Sequence, residues 1–138
     1  MCSFGNLKET IDEYKTYHVN KDVPVVQNVD LDYYSKLYDL GILKICAVAD
    51  GHNVYGFGSL IMSPIPHIQG KIATMESLFC QRVKRKEGWG SRLLESVFDL
   101  ARKYECVGCY IGAGEGTAFQ KICRRKFTKT NEVFYKPL

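Results

Sequence analysis

The chain has 138 residues, of which 46% are hydrophobic and 25% are charged, and its formal net charge is +4. These values suit one folded domain over residues 1–138 and argue against a disordered, collagen-like or low-complexity chain. The positive surplus is too small to indicate a nucleic-acid-binding protein, but it favours an anionic ligand.

Export and membrane insertion are not expected from the sequence. No apolar stretch approaches the roughly 20 residues that span a bilayer, and the first residues lack the basic and apolar regions of a signal peptide. We therefore expect a cytoplasmic protein whose six cysteines are reduced thiols. Cys106 and Cys109 form a C-x-x-C pair, but no second pair or histidine lies at ligand spacing, so no metal site is expected.

The first forty residues predict two helices. Apolar side chains recur at spacings of three and four over residues 7–17, which is typical of an amphipathic helix. Residues 32–38 resemble a second, short helix, and Gly41 is placed to cap its end.

A change of period then predicts three antiparallel strands. Short, mostly apolar runs over residues 43–49 and 54–62 flank a turn of Asp50-Gly51-His52-Asn53, which indicates a hairpin. Pro64 and Pro66 break the second strand, because proline removes a backbone donor, and residues 71–83 resume as the third.

The second half of the chain returns to helical spacing. Residues 88–104 have one apolar and one charged face, the most regular helix pattern in the sequence. Residues 106–111 predict a strand, 117–125 a short helix and 132–135 a closing strand. The predicted order is therefore α-α-β-β-β-α-β-α-β, in an α/β (α+β) domain.

The most informative segment is the turn before the long helix. A strand is followed by a basic turn, by two glycines one residue apart (Gly88 and Gly90), and by the helix. The first amides of a helix lack intrahelical partners and carry partial positive charge, and glycines let an anion approach the backbone. The pattern predicts a phosphate-binding turn, although neither a P-loop nor a dinucleotide fingerprint is present.

Arg85-x-x-Gly88-x-Gly90 resembles the [QR]-x-x-G-x-[GA] diphosphate loop of the GNAT superfamily of acyl-CoA-dependent N-acyltransferases. The predicted element order is also the order of that family, so the resemblance covers nearly the whole chain. It implies the GNAT fold, a mixed, mostly antiparallel central sheet flanked by helices. Asp32-Tyr33-Tyr34 and Pro66-His67 further resemble the small members carried by bacteriophages and prophages.

The resemblance also implies how acetyl-coenzyme A (acetyl-CoA) binds. Pantetheine would pair with backbone groups of Leu78, Phe79 and Cys80, and the diphosphate would lie on the amides of the loop, which comprises Arg85, Lys86, Glu87, Gly88, Trp89, Gly90 and Ser91. The sequence departs from the family pattern at Lys86, where glycine is frequent, and at Trp89, where a smaller residue is usual. For Trp89 we favour local packing over a role in covering the pantetheine.

Transfer to an amine requires a proton acceptor, because freeing a lysine-like amine of its proton at pH 7 costs about 4–5 kcal/mol. Glu76 lies in a predicted strand, where glutamate is disfavoured, and its position resembles that of a catalytic glutamate in some GNAT histone acetyltransferases. We predict that Glu76 is the general base and that a backbone N–H near Phe79 polarises the thioester carbonyl. Alternatively, Glu76 faces solvent or pairs with a lysine on a neighbouring strand.

The general acid is less well defined. Many relatives have a tyrosine in the last short helix, where this chain has Ile122. Tyr110 is the candidate acid and Cys123 an alternative, and the thiolate can also leave unaided.

Two other functions stay open at this point. The missing tyrosine is compatible with a non-catalytic acyl-CoA-binding module of the same fold. Residues 82–86 could instead form a nucleic-acid patch, which would not need the two glycines. The sequence does not identify the acceptor, an amine-bearing small molecule or protein, and it leaves the oligomeric state open, a homodimer included.

Overall fold

The computed structural model describes residues 6–17, 30–67 and 69–138. Within these ranges no helix combines the length and apolar character that crossing a membrane requires. The described elements follow one another as α1 (Leu7–Tyr17), α2 (Leu31–Asp39), β1 (Leu43–Asp50), β2 (Asn53–Pro64), β3 (Lys71–Cys80), α3 (Arg82–Arg85), α4 (Trp89–Lys103), β4 (Cys106–Ile111) and α5 (Ala118–Lys126).

The four strands form one sheet in the order β1-β2-β3-β4. The first three are an antiparallel meander, and β4 runs parallel to β3. Helix α4 makes the crossover that a parallel pair requires. The predicted mixed, mostly antiparallel sheet flanked by helices is therefore confirmed.

Helix α2 ends as its sequence predicts. Gly41 has a φ of +74°, in the left-handed region that glycine adopts without strain. Its amide donates to the Tyr38 carbonyl at 2.9 Å, and the Ile42 amide donates to the Leu37 carbonyl at 3.0 Å. These two bonds form a Schellman motif, which satisfies the last carbonyls of the helix before β1 begins.

Helix α4 covers one face of the sheet with its apolar side. Leu93, Leu94, Val97 and Ala101 are buried, and they pack in core clusters with side chains from β1, β2 and β3. Each large aliphatic side chain buried in this way contributes about 1.5–3 kcal/mol. This packing fixes the start of α4 beside the end of β3.

Helix α1 covers the opposite face. Its Tyr14 packs edge-on against Phe57 and Phe79, with ring centroids 5.2 and 5.7 Å apart. Successive strand residues point to opposite faces, and a Cβ at Gly58 would lie 2.5 Å from Val97 Cγ2 of α4. The aromatic side of the sheet is therefore the side away from α4.

The third strand is shorter than predicted. It ends at Cys80 instead of continuing to residue 83, because residues 82–85 turn into the short helix α3. The Lys84 amide donates to the Gln81 carbonyl at 3.0 Å and closes this turn. The basic run that looked like a strand end is the first part of the loop.

The predicted closing strand at residues 132–135 is wrong. Residues 127–138 contain neither helix nor strand, and Val133 and Phe134 are 93% and 85% exposed. A strand is stabilised by a neighbour that pairs with its backbone and by burial of one face, and this segment has no such burial. Its β-forming composition alone does not produce a strand.

Candidate functional site

Strand β3 pairs with β4 over only half of its length. The parallel register runs from Lys71 opposite Cys106 to Met75 opposite Ile111. On its other edge β3 stays paired with β2 as far as Cys80 opposite Gly56. Among the described residues, residues 76–80 of β3 thus have a strand on one side only, and we call the gap on the β4 side the fork.

A β-bulge lies where the fork opens. Ser59 of β2 is opposite Ser77, and the next residue, Leu60, is opposite Met75, so Glu76 is the extra residue on β3. A bulge bends its strand and increases the local twist. Because it follows directly after the last residue paired with β4, it gives a physical cause for the separation of β3 from β4.

The bulge also brings Glu76 and Ser77 to the same side of the sheet. The hydroxyl of Ser59 lies 2.6 Å from Glu76 Oε2 and 2.6 Å from Ser77 Oγ. In a regular strand, successive side chains would point to opposite faces. The bulge therefore places the Glu76 carboxylate on the aromatic face of the sheet, opposite the face that α4 covers.

The carboxylate of Glu76 is bound by hydroxyl groups from two elements. Tyr34 of α2 donates to Oε1, and Ser59 of β2 donates to Oε2. Burial raises the pKa of Tyr34 above its ordinary value, and the hydrogen bond to Glu76 raises it further. Burial likewise raises the pKa of Tyr14, to which the negative charge of Glu76 adds. Glu76 is exposed, as the first of the two alternatives to catalysis expects. Among the described residues its carboxylate binds these two hydroxyl groups, and the alternative pairing with a lysine is not found.

The sequence did not link Tyr34 or Ser59 to Glu76. Tyr34 stood out only within the Asp32-Tyr33-Tyr34 motif, and Ser59 carried no signal in an apolar strand. Their contact with Glu76 depends on the docking of α2 and on the bulged register, neither of which is a property of a short sequence window.

The backbone of β3 alternates between β2 and the fork. The Gln81 amide donates to the Tyr55 carbonyl of β2 at 2.8 Å. Since peptide groups alternate along a strand, those of Phe79 also face β2, whereas those of Leu78 and Cys80 face the fork. Of the three backbone positions predicted for pantetheine, two therefore face the gap.

The loop after β3 ends at a helix N-terminus with unpaired amides. Gly88 precedes α4 with a φ of +83°, and no side chain of residues 6–17, 30–67 or 69–138 caps the helix. The first helical bond runs from the Arg92 amide to the Gly88 carbonyl at 3.1 Å. The amides of Trp89, Gly90 and Ser91 thus lie before the hydrogen-bonded ladder, at the positive end of the helix dipole, where an anion fits.

The remaining loop amides are less available. Those of Glu87 and Gly88 donate to the carbonyls of Lys84 and Arg85 at 3.1 and 3.3 Å. The amides of Glu87 and Gly88 therefore close the turn, and within the described part of the chain the amides of the next three residues have no backbone acceptor. The binding roles predicted for Arg85, Lys86, Glu87 and Gly88 stay predictions.

Side chains around the loop bring cations and aromatic rings together. Arg85 Nε donates to the Cys80 carbonyl at 2.8 Å, which places a guanidinium at the end of β3. Trp89 packs edge-on against Tyr55 at 5.2 Å and joins the core cluster of Val48 and Leu93. Trp89 therefore packs locally, and the preference for packing over covering the pantetheine stays a prediction.

Tyr110 lies near the opening of the fork. On β4 it is opposite Thr74, and because Ala73 and Met75 pack in the core on the α4 side, Thr74 and Tyr110 face the side of Glu76. Tyr110 is 40% exposed. Its role as general acid stays a prediction.

Cys123, the alternative general acid, lies in α5. Burial raises the pKa of the Cys123 thiol, so a smaller fraction of this thiol is ionised at neutral pH. Among the residues with described positions, no group of three or more histidine, cysteine, aspartate or glutamate side chains is arranged to hold a metal ion.

The fold is similar to those of known acetyltransferases. An aminoglycoside acetyltransferase from an uncultured soil metagenomic sample, solved with sisomicin, matches at a TM-score of 0.73 and 13% identity over 96% of this chain and 86% of its own. An acetyltransferase of Trypanosoma brucei matches at 0.70 and 13% over 99% and 93%. A GNAT family acetyltransferase of Staphylococcus aureus matches at 0.62 and 14% over 96% and 94%.

The sequence itself matches no protein-family model and no curated protein. At 13–14% identity the structural likeness establishes the fold, which is that of the GNAT acetyltransferases over nearly the whole chain.

Proposed function

We propose that this protein is an N-acetyltransferase that moves the acetyl group of acetyl-CoA to a primary amine by direct attack in a ternary complex. The observation that carries the proposal is the fork: β3 leaves β4 at Glu76, and its unpaired edge leads to the free amides at the start of α4. A single stretch of chain, residues 76–91, thus contains a carboxylate, backbone donors and acceptors of a strand edge, and a site for an anion.

The residues present suit acetyl-CoA. Pantetheine is an amide-containing chain that pairs as an added strand, and the peptide group of Leu78 and the N–H of Cys80 face the side where it would lie. The Cys80 carbonyl on that side accepts from Arg85 Nε. The amides of Trp89, Gly90 and Ser91 suit its diphosphate. Bound acetyl-CoA supplies an activated acetyl group as a thioester.

The chemistry assigned to the protein is proton transfer and polarisation. Glu76 accepts a proton from the bound ammonium group and so frees the lone pair that forms the C–N bond, because a carboxylate has about four lone-pair sites and two hydroxyl donors leave others open. The second proton that the nitrogen loses as the amide forms replaces the one given to the thiolate. The polarising N–H is assigned to Leu78, since the peptide groups of Phe79 face β2. As the C–S bond breaks, the thiolate takes a proton from Tyr110 or from water.

The acceptor is an amine-bearing small molecule or protein. A carboxylate among aromatic rings suits an alkyl ammonium group, and one structural neighbour is an aminoglycoside acetyltransferase. We also propose a cytoplasmic setting, which fits the five free cysteines of the described residues.

A non-catalytic acyl-CoA-binding module is the second candidate. The observation that favours it is Ile122 in α5, where the resemblance implies a tyrosine that protonates the leaving thiolate. Such a module would share the fork and the loop but release no free CoA.

Calorimetry with acetyl-CoA, together with release of free CoA in the presence of a panel of amines, tests both candidates. Gly90→Asp places a carboxylate among the free amides, where a Cβ meets no atom within 4 Å, so the fold should be kept while the diphosphate is repelled. Gly90→Ala adds the Cβ without the charge, so it should bind acetyl-CoA more weakly than the wild type and more tightly than Gly90→Asp.

Three outcomes separate the possibilities. Binding that is lost in Gly90→Asp, with amine-dependent CoA release in the wild type, supports the enzyme. Binding without release by any amine supports the module. A wild-type protein that binds no acetyl-CoA at millimolar concentration would contradict both.

A further inference from the structure

We infer that Tyr34 and Ser59 are positioning residues that hold the carboxylate of Glu76 in its working orientation. This inference rests on the proposed function and goes beyond it by naming two residues that act through the base. Each grips a different oxygen of the carboxylate, and they come from α2 and β2. Without these two contacts, the side chain of a glutamate at the extra position of a bulge would have several accessible rotamers.

The hydrogen bonds of Ser59 run in one direction, from Ser77 through Ser59 to Glu76. An ionised carboxylate only accepts hydrogen bonds, and a serine hydroxyl has a single proton to donate. Ser59 donates that proton to Glu76 Oε2 at 2.6 Å, so in its 2.6 Å contact with Ser77 it must be the acceptor. Ser59 and Ser77 are only 2% and 8% exposed, so this chain reaches the carboxylate from inside the protein.

The contact of Tyr34 comes from the solvent side. Helix α2 has no fully buried residue, and Tyr34 is one of its two partly buried side chains. The hydroxyl of Tyr34 therefore both orients Glu76 and fixes α2 beside the opening of the fork. The neighbouring Tyr33 is 57% exposed and does not share this contact.

The two hydroxyl donors should affect kcat and not the binding of acetyl-CoA. They hold the carboxylate in β3 where an amine can reach it, while the amides that suit the diphosphate of acetyl-CoA lie beyond the end of β3, at the start of α4. Removal of either hydroxyl should lower kcat and leave the affinity for acetyl-CoA unchanged. A purely structural role would lower stability and both parameters together.

The test uses Tyr34→Phe and Ser59→Ala, each in the wild type and in a Glu76→Gln background. We expect each single change to lower kcat by about 10- to 100-fold, the range for a lost hydrogen bond to a charged group. Calorimetry should give an unchanged Kd for acetyl-CoA. In the Glu76→Gln background neither change should lower kcat further, because both hydroxyls act only through that carboxylate.

Tyr33→Phe and Ser63→Ala are the matched controls, since both side chains are exposed on the same two elements. The inference is overturned if either test variant keeps wild-type kcat, or if it loses as much activity without the carboxylate as with it. A Glu76→Gln variant at full activity would also overturn the inference, because it would remove the base role on which both hydroxyls act, while the acetyltransferase function would stand. A wild-type protein that acetylates no amine would instead refute the proposed function itself.

Discussion

The side-chain amide of Gln81 donates a 2.7 Å hydrogen bond to the hydroxyl of Thr10, and both side chains are buried. The Thr10 hydroxyl in turn donates to the Val54 carbonyl at 2.8 Å. Nearby, the Arg82 amide donates to the Glu13 carboxylate at 2.9 Å. Helix α1 is thereby fixed to Gln81 and Arg82, the first two residues after β3.

We predict that Thr10→Val destabilises the protein although it preserves the shape of the side chain. The change leaves the buried side-chain amide of Gln81 without its acceptor, which costs about 1–3 kcal/mol. The Val54 carbonyl loses one of its two donors and keeps the other, the side-chain amide of Asn6 at 2.9 Å. Urea denaturation followed by circular dichroism measures the loss. Thr16→Val in the same helix is the control, because Thr16 is exposed, and it should change the free energy of unfolding by at most about 0.5 kcal/mol. Equal effects of the two substitutions would contradict this account.

The two loop glycines should respond differently to alanine. Gly88 has a φ of +83°, so Gly88→Ala forces an L-residue into the left-handed region at a cost of about 1–2 kcal/mol. Gly90 lies in the first turn of α4 without a positive φ, and a Cβ there has open space. Gly90→Ala should therefore raise the free energy of unfolding by up to about 1 kcal/mol. Urea denaturation of both variants decides the matter, and a Gly90→Ala protein less stable than Gly88→Ala would refute it.

The sequence predicted those parts of the fold that depend on local periodicity and local caps. The pattern over residues 7–17 gave α1 with its observed bounds, and the two-faced pattern over residues 88–104 gave α4 to within one residue at each end. Helix α4 buries an apolar stripe of Leu93, Leu94, Val97 and Ala101, which a window of three or four turns reveals. Of the apolar positions in α1, Ile11 and Tyr14 are partly buried and Leu7 is 40% exposed. Gly41 marked the end of α2 because only a left-handed residue closes that motif.

The sequence could not predict the features that depend on a neighbouring element. The bulge at Glu76 is a mismatch between β2 and β3, so neither strand shows it alone. The failure at residues 132–135 has the same origin, since strand-forming composition needs an edge to pair with. Glu76 itself was found because glutamate is unusual in a strand, but its partners were not.

The thiol of Cys80 should be unreactive in the folded protein. It is 7% exposed, and burial raises its pKa above the ordinary value, which the nearby Arg85 opposes only in part. In a thiol-reagent titration at pH 8, the wild type and Cys80→Ala should give the same native count. In urea, the variant should give one thiol fewer than the six of the wild type. A native count that also falls by one would show that Cys80 is accessible.

The same pKa shift predicts a pH dependence of stability. An unfolded thiol ionises near pH 8.5, and the folded Cys80 thiol ionises at higher pH. Its contribution is therefore complete below about pH 8.5 and is lost as the pH rises through the folded value. Between pH 8 and 10 the wild type should lose more free energy of unfolding than Cys80→Ala. Parallel pH curves would contradict the prediction.

Trp89 should stabilise the loop by packing. Its ring lies edge-on to Tyr55 at 5.2 Å and under the Arg92 guanidinium at 5.4 Å, while Lys84 Nζ lies 4.5 Å from the Tyr55 ring. Because the ring is half-buried, Trp89→Ala should cost about 2 kcal/mol, less than for a fully buried ring. Trp89→Phe should recover part of this loss through the edge contact with Tyr55.

The control for Trp89 is Val83→Ala in α3, where the side chain is 73% exposed and the change should be neutral within about 0.5 kcal/mol. Urea denaturation followed by circular dichroism compares the variants, because Trp89 is the single tryptophan of the chain and its fluorescence is lost with it. If Trp89 only covered the fork, Trp89→Ala would weaken acetyl-CoA binding at unchanged stability. We expect instead that Trp89→Ala mainly lowers the free energy of unfolding, because the ring contacts Tyr55 and the core cluster around Leu93.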